Sequence, residues 1–191
     1  QPLPLREVRI DAVVEGLLLE VECEQRYHNP AREAIEILYT FPVPWGGRLL
    51  SVEAWIGERH LRAEVGERVA ATARYDEAIG EGHTALLLED LGHGRWSLSL
   101  GNLAAGEACR LRLRYAQCLR FQGDSIRLLI PTVIAPCYGE SDAGRGRPYQ
   151  QPVTDPSASC PARFRVRVRG ELAESAISSP SHVVQSRLRH G

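Results

Sequence analysis

The stretch RLRLRY, residues Arg110 to Tyr115, decides the fold class of this chain. Arginine and apolar side chains alternate strictly, and such alternation places the two kinds on opposite faces of a β-strand. Period-two patterns of this kind recur over residues 8–14, 17–26, 33–41, 49–57, 84–90, 95–100, 108–120, 125–130 and 163–169. The sequence therefore predicts sheets that bury one face and expose the other.

One segment departs from the period of two. Residues 67–79 are rich in alanine, and Ala71, Tyr75 and Ala78 share one face at helical spacing, with Gly80 or Gly82 available to end a helix. We therefore predict a mainly β protein, a two-sheet β-sandwich with a single α-helix at about 67–79. By alternation, Ser97 and Ser99 are expected on the solvent side of their strand.

Composition narrows the class of protein. The 191 residues suit one large domain, and 43% hydrophobic with 25% charged residues is typical of a globular chain. All 23 basic residues are arginine, and 24 acidic residues balance them to a net charge of -1. This balance gives no reason to expect nucleic-acid binding. No apolar run approaches the ~18 residues of a membrane span, so no direct membrane insertion is expected.

Residue patterns that carry chemistry do not emerge. There is no Gly-x-Ser-x-Gly elbow, and the six histidines stand singly at turns or element ends. Adjacent carboxylates such as Glu89 and Asp90 diverge on a strand, whereas general acid–base catalysis needs convergent groups. No cysteine pair has the C-x-x-C spacing of a metal site. We therefore expect no enzyme activity, no catalytic or metal-binding residue and no cofactor.

The five cysteines divide into two groups. Cys23 and Cys109 are in step with apolar residues of their strands and are expected in the core. Cys137 and Cys160 flank a loop that is rich in proline, glycine and serine. This pair is compatible with a disulfide in an oxidising compartment and equally with two free thiols.

A series of turn and packing residues carries a family resemblance. In order along the chain, and including the pattern A-x-x-x-Y-x-x-A-x-x-x-G of the helix, they are Asn29, Tyr39, Phe41, Pro42, Pro44, Ala71, Tyr75, Ala78, Gly82, Glu89, Gly101, Asn102, Gly106, Tyr115, Pro131, Pro136 and Tyr138. This series resembles the VIT domain (vault protein/inter-alpha-trypsin domain). In the last motif, Cys137 stands where the family has arginine. Prolines that stop strands and glycines that suit tight connections are explained by the fold.

The resemblance implies a domain organisation and a role. Residues 1–138 would form the VIT domain, 139–161 an exposed loop, and 162–191 continuing strands and the start of a linker. The implied function is a non-catalytic interaction or scaffold module of a larger, secreted or surface protein, with an adjoining von Willebrand A domain and other proteins as partners. We expect an extracellular, periplasmic or cell-surface location, with the cytoplasm left open. The alternative is a glycan- or polyanion-binding module that uses the arginine rows or Trp45 and Trp55.

Overall fold

The computed structural model describes residues 4–131 and 160–188. In this part of the chain, one α-helix lies among eleven strands. The elements are β1 (Leu5–Glu15), β2 (Leu18–His28), β3 (Ile35–Pro42), β4 (Arg48–Ile56), β5 (Arg59–Arg62), α1 (Arg68–Gly80), β6 (Ala85–Gly92), β7 (Arg95–Leu103), β8 (Ala108–Cys118), β9 (Phe121–Gln122), β10 (Ser125–Ile126), β11 (Ala162–Arg169) and a 3-10 helix (Gly170–Glu174). The prediction of a mainly β fold with one helix is confirmed.

Two sheets form the body of the fold. The larger has the order β11-β1-β2-β8-β4-β5 and the smaller has the order β3-β7-β6, while β9 and β10 form a short hairpin. Neighbouring strands are antiparallel except β11, which runs parallel to β1. The stretch that predicted the fold class is therefore central, because β8 lies between β2 and β4.

The core lies between the inner faces of the two sheets. The larger sheet buries alternate residues of four strands, including Val21 and Leu111, while the smaller contributes Ile37, Phe41 and Leu98. Cys23 and Cys109 are buried in the same cluster, as the alternation indicated. Each apolar side chain buried in this way contributes roughly 1.5–3 kcal/mol relative to an exposed one.

The helix forms a third layer on the outer face of the smaller sheet. Tyr75 is the buried residue of α1, and its hydroxyl donates to Glu36 Oε1 on β3 at 2.8 Å. Gly82 ends the helix with a φ of 80°. The amide of His83 donates to Ala78 O and that of Gly82 to Ile79 O, which is the hydrogen-bond pattern of a Schellman motif.

This third layer corrects the prediction for two serines. Ser97 and Ser99 are 7% and 2% exposed, not in solvent. They point away from Leu98, toward the face that α1 covers, where Leu87 is also buried. Alternation correctly separated the two faces of β7, but it does not reveal that a helix packs on the polar one.

Two local predictions were also wrong, and one strand was missed. Residues 125–130 were expected to be one strand, but pairing ends at Ile126, although Leu128 and Ile130 still pack against the core. The strand expected at residues 95–100 is longer than predicted, because β7 continues to Leu103. Strand β5 was not foreseen, since four residues with three exposed side chains leave no periodic signal.

Gly101 lies where the helix approaches β7 most closely. A Cβ built there would overlap Ile79 Cδ1 and lie 2.7 Å from Tyr75 Oη, so the position requires glycine for space. By contrast, a Cβ on Gly80 in the helix itself meets nothing within 4 Å.

We expect Gly101→Ala to destabilise the protein by about 1–3 kcal/mol, because the side chain forces α1 away from the sheet. Gly80→Ala is the matched control and is expected to stabilise by about 0.5–1 kcal/mol, since it removes a helical glycine without a clash. Urea unfolding of the two variants measures both effects. Equal stabilities of the two variants would contradict this account of Gly101.

Part of the predicted organisation lies outside the described residues. These are Pro136, Cys137, Tyr138 and nearly all of the predicted loop 139–161. The boundaries 1–138, 139–161 and 162–191 therefore stay predictions. The strand expected at 163–169 is present as β11.

Candidate functional site

The outer face of the larger sheet carries a lattice of arginine and acidic side chains. The arginine row of β8 lies beside the glutamate row of β2, with Arg112 Nε at 3.5 Å from Glu22 Oε1 and Arg114 Nη2 at 3.5 Å from Glu20 Oε2. Arg9 and Glu7 on β1 form a two-point contact, with a shorter distance of 2.8 Å. Most of the positive charge on this face is therefore offset by a neighbouring carboxylate.

Trp55 is the aromatic centre of this outer face. The guanidinium carbons of Arg110 and Arg112 lie 4.4 Å and 4.7 Å from its ring centroid. The His60 ring stacks on it at 4.7 Å with an interplanar angle of 8°, and His60 Nε2 contacts Glu53 Oε2 at 2.9 Å. The neighbouring side chains thus already occupy the stacking surface of this tryptophan. Trp45, the other tryptophan of the glycan-binding alternative, is 89% exposed.

Asn29 joins two distant loops at one end of the sandwich. Its side chain is fully buried, and Nδ2 lies 2.8 Å, 2.9 Å and 3.0 Å from the carbonyl oxygens of Glu33, Leu103 and Ala104. Its Oδ1 accepts from the Ala31 amide at 2.9 Å. The backbone of Asn29 also bonds the turn before β8, because Gly106 N donates to its carbonyl oxygen and its own amide donates to Glu107 O.

Asn102 has a comparable role at the end of the helix. It adopts a φ of 55°, and its Nδ2 donates to Ile79 O and His83 O at 3.0 Å each. Its carbonyl oxygen accepts from Thr84 Oγ1 at 3.1 Å. The side chain thereby ties the end of the helix, and the turn that follows it, to β7.

A polar group is also buried inside the core. Gln25 is 3% exposed, and its Oε1 accepts from the Tyr27 hydroxyl at 2.6 Å. Burial raises the pKa of Tyr27, Tyr39 and Tyr115 above the ordinary tyrosine value. Burial likewise raises the pKa of Cys23 and Cys109 to about 12 each, so both thiols stay protonated at neutral pH.

The other residues of the family-like series pack or turn the chain. Phe41 is buried and stacks with Tyr39 at a centroid distance of 5.4 Å, and Pro44 is buried beside them. Glu89 on β6 forms an ion pair with Arg68 of the helix at 3.2 Å. Partly buried members are Pro42, Ala71, Ala78 and Pro131. These contacts brace the fold.

Across residues 4–131 and 160–188, no group of three or more His, Cys, Asp or Glu side chains is arranged to hold a metal ion. No helix in these two ranges has the length and apolar character needed to cross a membrane.

The C-terminal strand presents a half-exposed apolar surface on the larger sheet. Phe164 and Val166 of β11 face the same side as the core residues Ile10 and Ala12, their register partners on β1. They are nonetheless 47% and 44% exposed. The alternation of β11 placed these residues on the inner face, but it carries no signal that the second sheet stops short of them.

A family model and several known proteins match this chain. A family model described as the vault protein inter-alpha-trypsin (VIT) domain matches residues 5–115. The von Willebrand factor A domain-containing protein 5A of Rattus norvegicus is 29% identical over 158 residues, which are 80% of this chain and 19% of that protein. The Homo sapiens protein of the same name is 28% identical over 148 residues, 76% of this chain and 19% of that protein.

A further relative has a different name. The protein mono-ADP-ribosyltransferase PARP4 of Mus musculus is 30% identical over 135 residues, 71% of this chain and 7% of that protein. The chain thus spans no more than 19% of the length of these relatives. The family model covers more than half of the chain, from the first residue of β1 to Tyr115 in β8, and so includes the smaller sheet, the helix and the larger sheet except β11 and the end of β8. The chain belongs to the VIT domain family.

Proposed function

We propose that this chain is a non-catalytic interaction module of a longer protein, in which it packs against an adjoining von Willebrand A domain and presents other proteins. The observation that carries the proposal is the inner face of β11, where Phe164 and Val166 remain 47% and 44% exposed although the His182 ring lies 5.9 Å from that of Phe164. Apolar side chains aligned with core positions of a sheet are suited to a protein contact.

The use of the family-like residues supports the same role. Hydrogen bonds within the fold engage the polar side-chain groups of Asn29, Asn102 and Tyr75. A series of residues that braces a scaffold is what a non-catalytic module needs. A turnover that one point substitution abolishes without unfolding the chain would count against this role.

Hydrogen exchange of the longer protein and of the 191-residue chain tests the proposal. We expect slower exchange over residues 139–191 in the longer protein, because an adjoining domain covers β11 and its neighbours. The double variant Phe164→Asp with Val166→Asp should remove this difference in exchange. The control is Val65→Asp, which changes a fully exposed apolar side chain outside β11 and should leave the difference unchanged. Equal exchange in the longer protein and the chain would mean that the domain is a free unit on a linker.

The glycan- or polyanion-binding alternative has a different signature. Arginines that capture a polyanion release counterions, so such binding weakens steeply as salt rises, whereas an apolar packing contact does not. Titration with heparin at increasing salt separates the two. The ion pairs between β8 and β2 favour the packing role, because binding a polyanion there would first have to displace their carboxylates.

The proposal includes an oxidising compartment outside the cytoplasm, and the cysteines test it. We expect Cys137 and Cys160 to form a disulfide, which would stabilise the fold by about 3 kcal/mol through the loop it closes. Non-reducing peptide mapping of protein taken from its native compartment, after alkylation, should recover them linked. The exposed Cys118 should be alkylated in the folded state and the buried Cys23 and Cys109 should not. Alkylation of both Cys137 and Cys160 would end this part of the proposal.

A further inference from the structure

Strand β11 lies at an end of the larger sheet. In the described ranges its one neighbour is β1, which runs parallel to it. Val8 N donates to Pro161 O at 2.9 Å. In a parallel ladder this turns the N–H and C=O groups of the odd-numbered residues toward β1. The backbone groups of Ala162, Phe164, Val166 and Val168 therefore point to the open edge.

The side chains of β11 differ between its faces. The inner face carries the exposed Phe164 and Val166, while the outer face carries an arginine row at positions 163, 165, 167 and 169. Asp11 is shared by two of these arginines, at 3.0 Å from Arg167 Nη2 and 3.9 Å from Arg165 Nε. The Arg165 side chain is 70% exposed and the Arg167 side chain is 47% exposed. The row thus has fewer close carboxylates than guanidinium groups.

The interior of the same sheet shows which strand complements this pattern. Strand β8 has the same alternation of arginine and apolar residues, and β2 pairs with it through a row of glutamates. Glu22 and Glu24 both contact Arg112, and the apolar residues of both strands face the core. A strand that alternates acidic and apolar residues therefore satisfies both faces of an arginine–apolar strand at once.

We propose that the open edge of β11 accepts an extended segment of a partner protein that alternates acidic and apolar residues, which adds a strand to the larger sheet. The proposal deepens the interaction role and rests on it. It excludes a second copy of β11 as the occupant, because pairing two such strands in register sets arginine rows beside each other, and like charges opposite one another are destabilising. Addition of a strand to an open sheet edge uses main-chain hydrogen bonds for affinity and alternate side chains for specificity.

Peptide titration against the 191-residue chain tests the side-chain pattern. The probe is a fluorescein-labelled peptide of 8 residues, the length of β11, in which glutamate alternates with valine and threonine. We expect saturable binding by anisotropy. A peptide of the same composition in two blocks should bind roughly tenfold more weakly or worse, since it cannot match both faces. A peptide with lysine for glutamate should not bind, and equal binding of all three peptides would overturn the proposal.

N-methylation of the probe tests the main-chain bonds. In an antiparallel addition the apolar residues of the peptide donate to β11, and in a parallel addition the acidic residues do. Methylating the amides of one set should therefore abolish binding, and methylating the other set should leave it unchanged. The set of amides whose methylation abolishes binding therefore shows whether the peptide adds parallel or antiparallel to β11. If both methylated peptides bind as well as the parent peptide, no strand is added.

Charge reversal on the protein provides the matched control. The double variant Arg163→Glu with Arg165→Glu should no longer bind the glutamate peptide and should bind the lysine peptide instead. The control variant Arg74→Glu, on the helix, should bind the glutamate peptide as tightly as the parent protein does. Circular dichroism verifies that each variant is folded. If the longer protein protects β11 in hydrogen exchange but the peptide does not bind, strand addition fails and the interaction role stands. If the peptide binds without such protection, the packing role against an adjoining domain fails instead.

Discussion

Replacing Asn29 by alanine is expected to lower the free energy of unfolding by about 3 kcal/mol, because several buried polar groups lose their partner at once. The side chain donates toward three carbonyl oxygens, those of Glu33, Leu103 and Ala104, and accepts from the Ala31 amide. Since the site is fully buried, water does not replace these bonds without opening it. Urea unfolding measures the loss.

A second variant separates the loss of hydrogen bonds from the loss of volume. Asn29→Asp keeps the shape, but its carboxylate oxygen faces the carbonyl oxygens that now receive Nδ2. We expect it to be at least as destabilising as alanine. Asp90→Ala, which removes an exposed side-chain bond to the Gly92 amide at 2.7 Å, serves as the control and should cost far less. A loss below about 1 kcal/mol for both Asn29 variants would mean that the two loops hold together without this residue.

Asn29 illustrates the limit of reading a site from sequence. The family resemblance singled it out, but its partner Leu103 O lies 74 positions away, and no local pattern reports such a contact. The same holds for Asn102, which bonds the end of a helix 23 positions earlier. By contrast, the helix was predicted within one residue at each end, because its period and its terminal glycine are local signals.

Local sequence patterns also do not indicate which other element packs on each face of a strand. Strict alternation in β8 correctly separated core from surface. In β7 the same reasoning put Ser97 and Ser99 in solvent, but α1 buries their face. In β11 it placed Phe164 on an inner face that the second sheet leaves uncovered. What faces a strand is decided by elements distant in sequence, so the alternation predicts the faces and not their neighbours.

The absence of lysine gives the chain an unusual response to alkaline pH. Arginine keeps its charge to a far higher pH than lysine does, so the ion pairs on the outer face persist where lysine pairs would fail. The groups that change charge between pH 9 and pH 12 are chiefly thiols and phenols. Several of these lie in the core, and burial raises their pKa in the folded state.

We expect stability to fall steeply above pH 9, the ordinary pKa of a thiol. The unfolded chain releases the protons of Cys23 and Cys109 there, whereas the folded chain holds them until about pH 12, so each pH unit favours unfolding. The two thiols together should cost about 5 kcal/mol by about pH 11, and the buried tyrosines add to this above pH 10.

Substitution of the thiols tests this origin of the alkaline loss. Cys23→Ala with Cys109→Ala should be less stable than the parent at neutral pH, because it leaves small cavities, yet its stability should decline less between pH 9 and about pH 11. Cys118→Ala, at an exposed thiol, should leave the slope unchanged. Urea unfolding across this range, with a phosphine reductant present, measures the slopes. If the double variant loses stability as steeply as the parent, the buried thiols do not control the alkaline transition, and the loss must come from the tyrosines around Gln25.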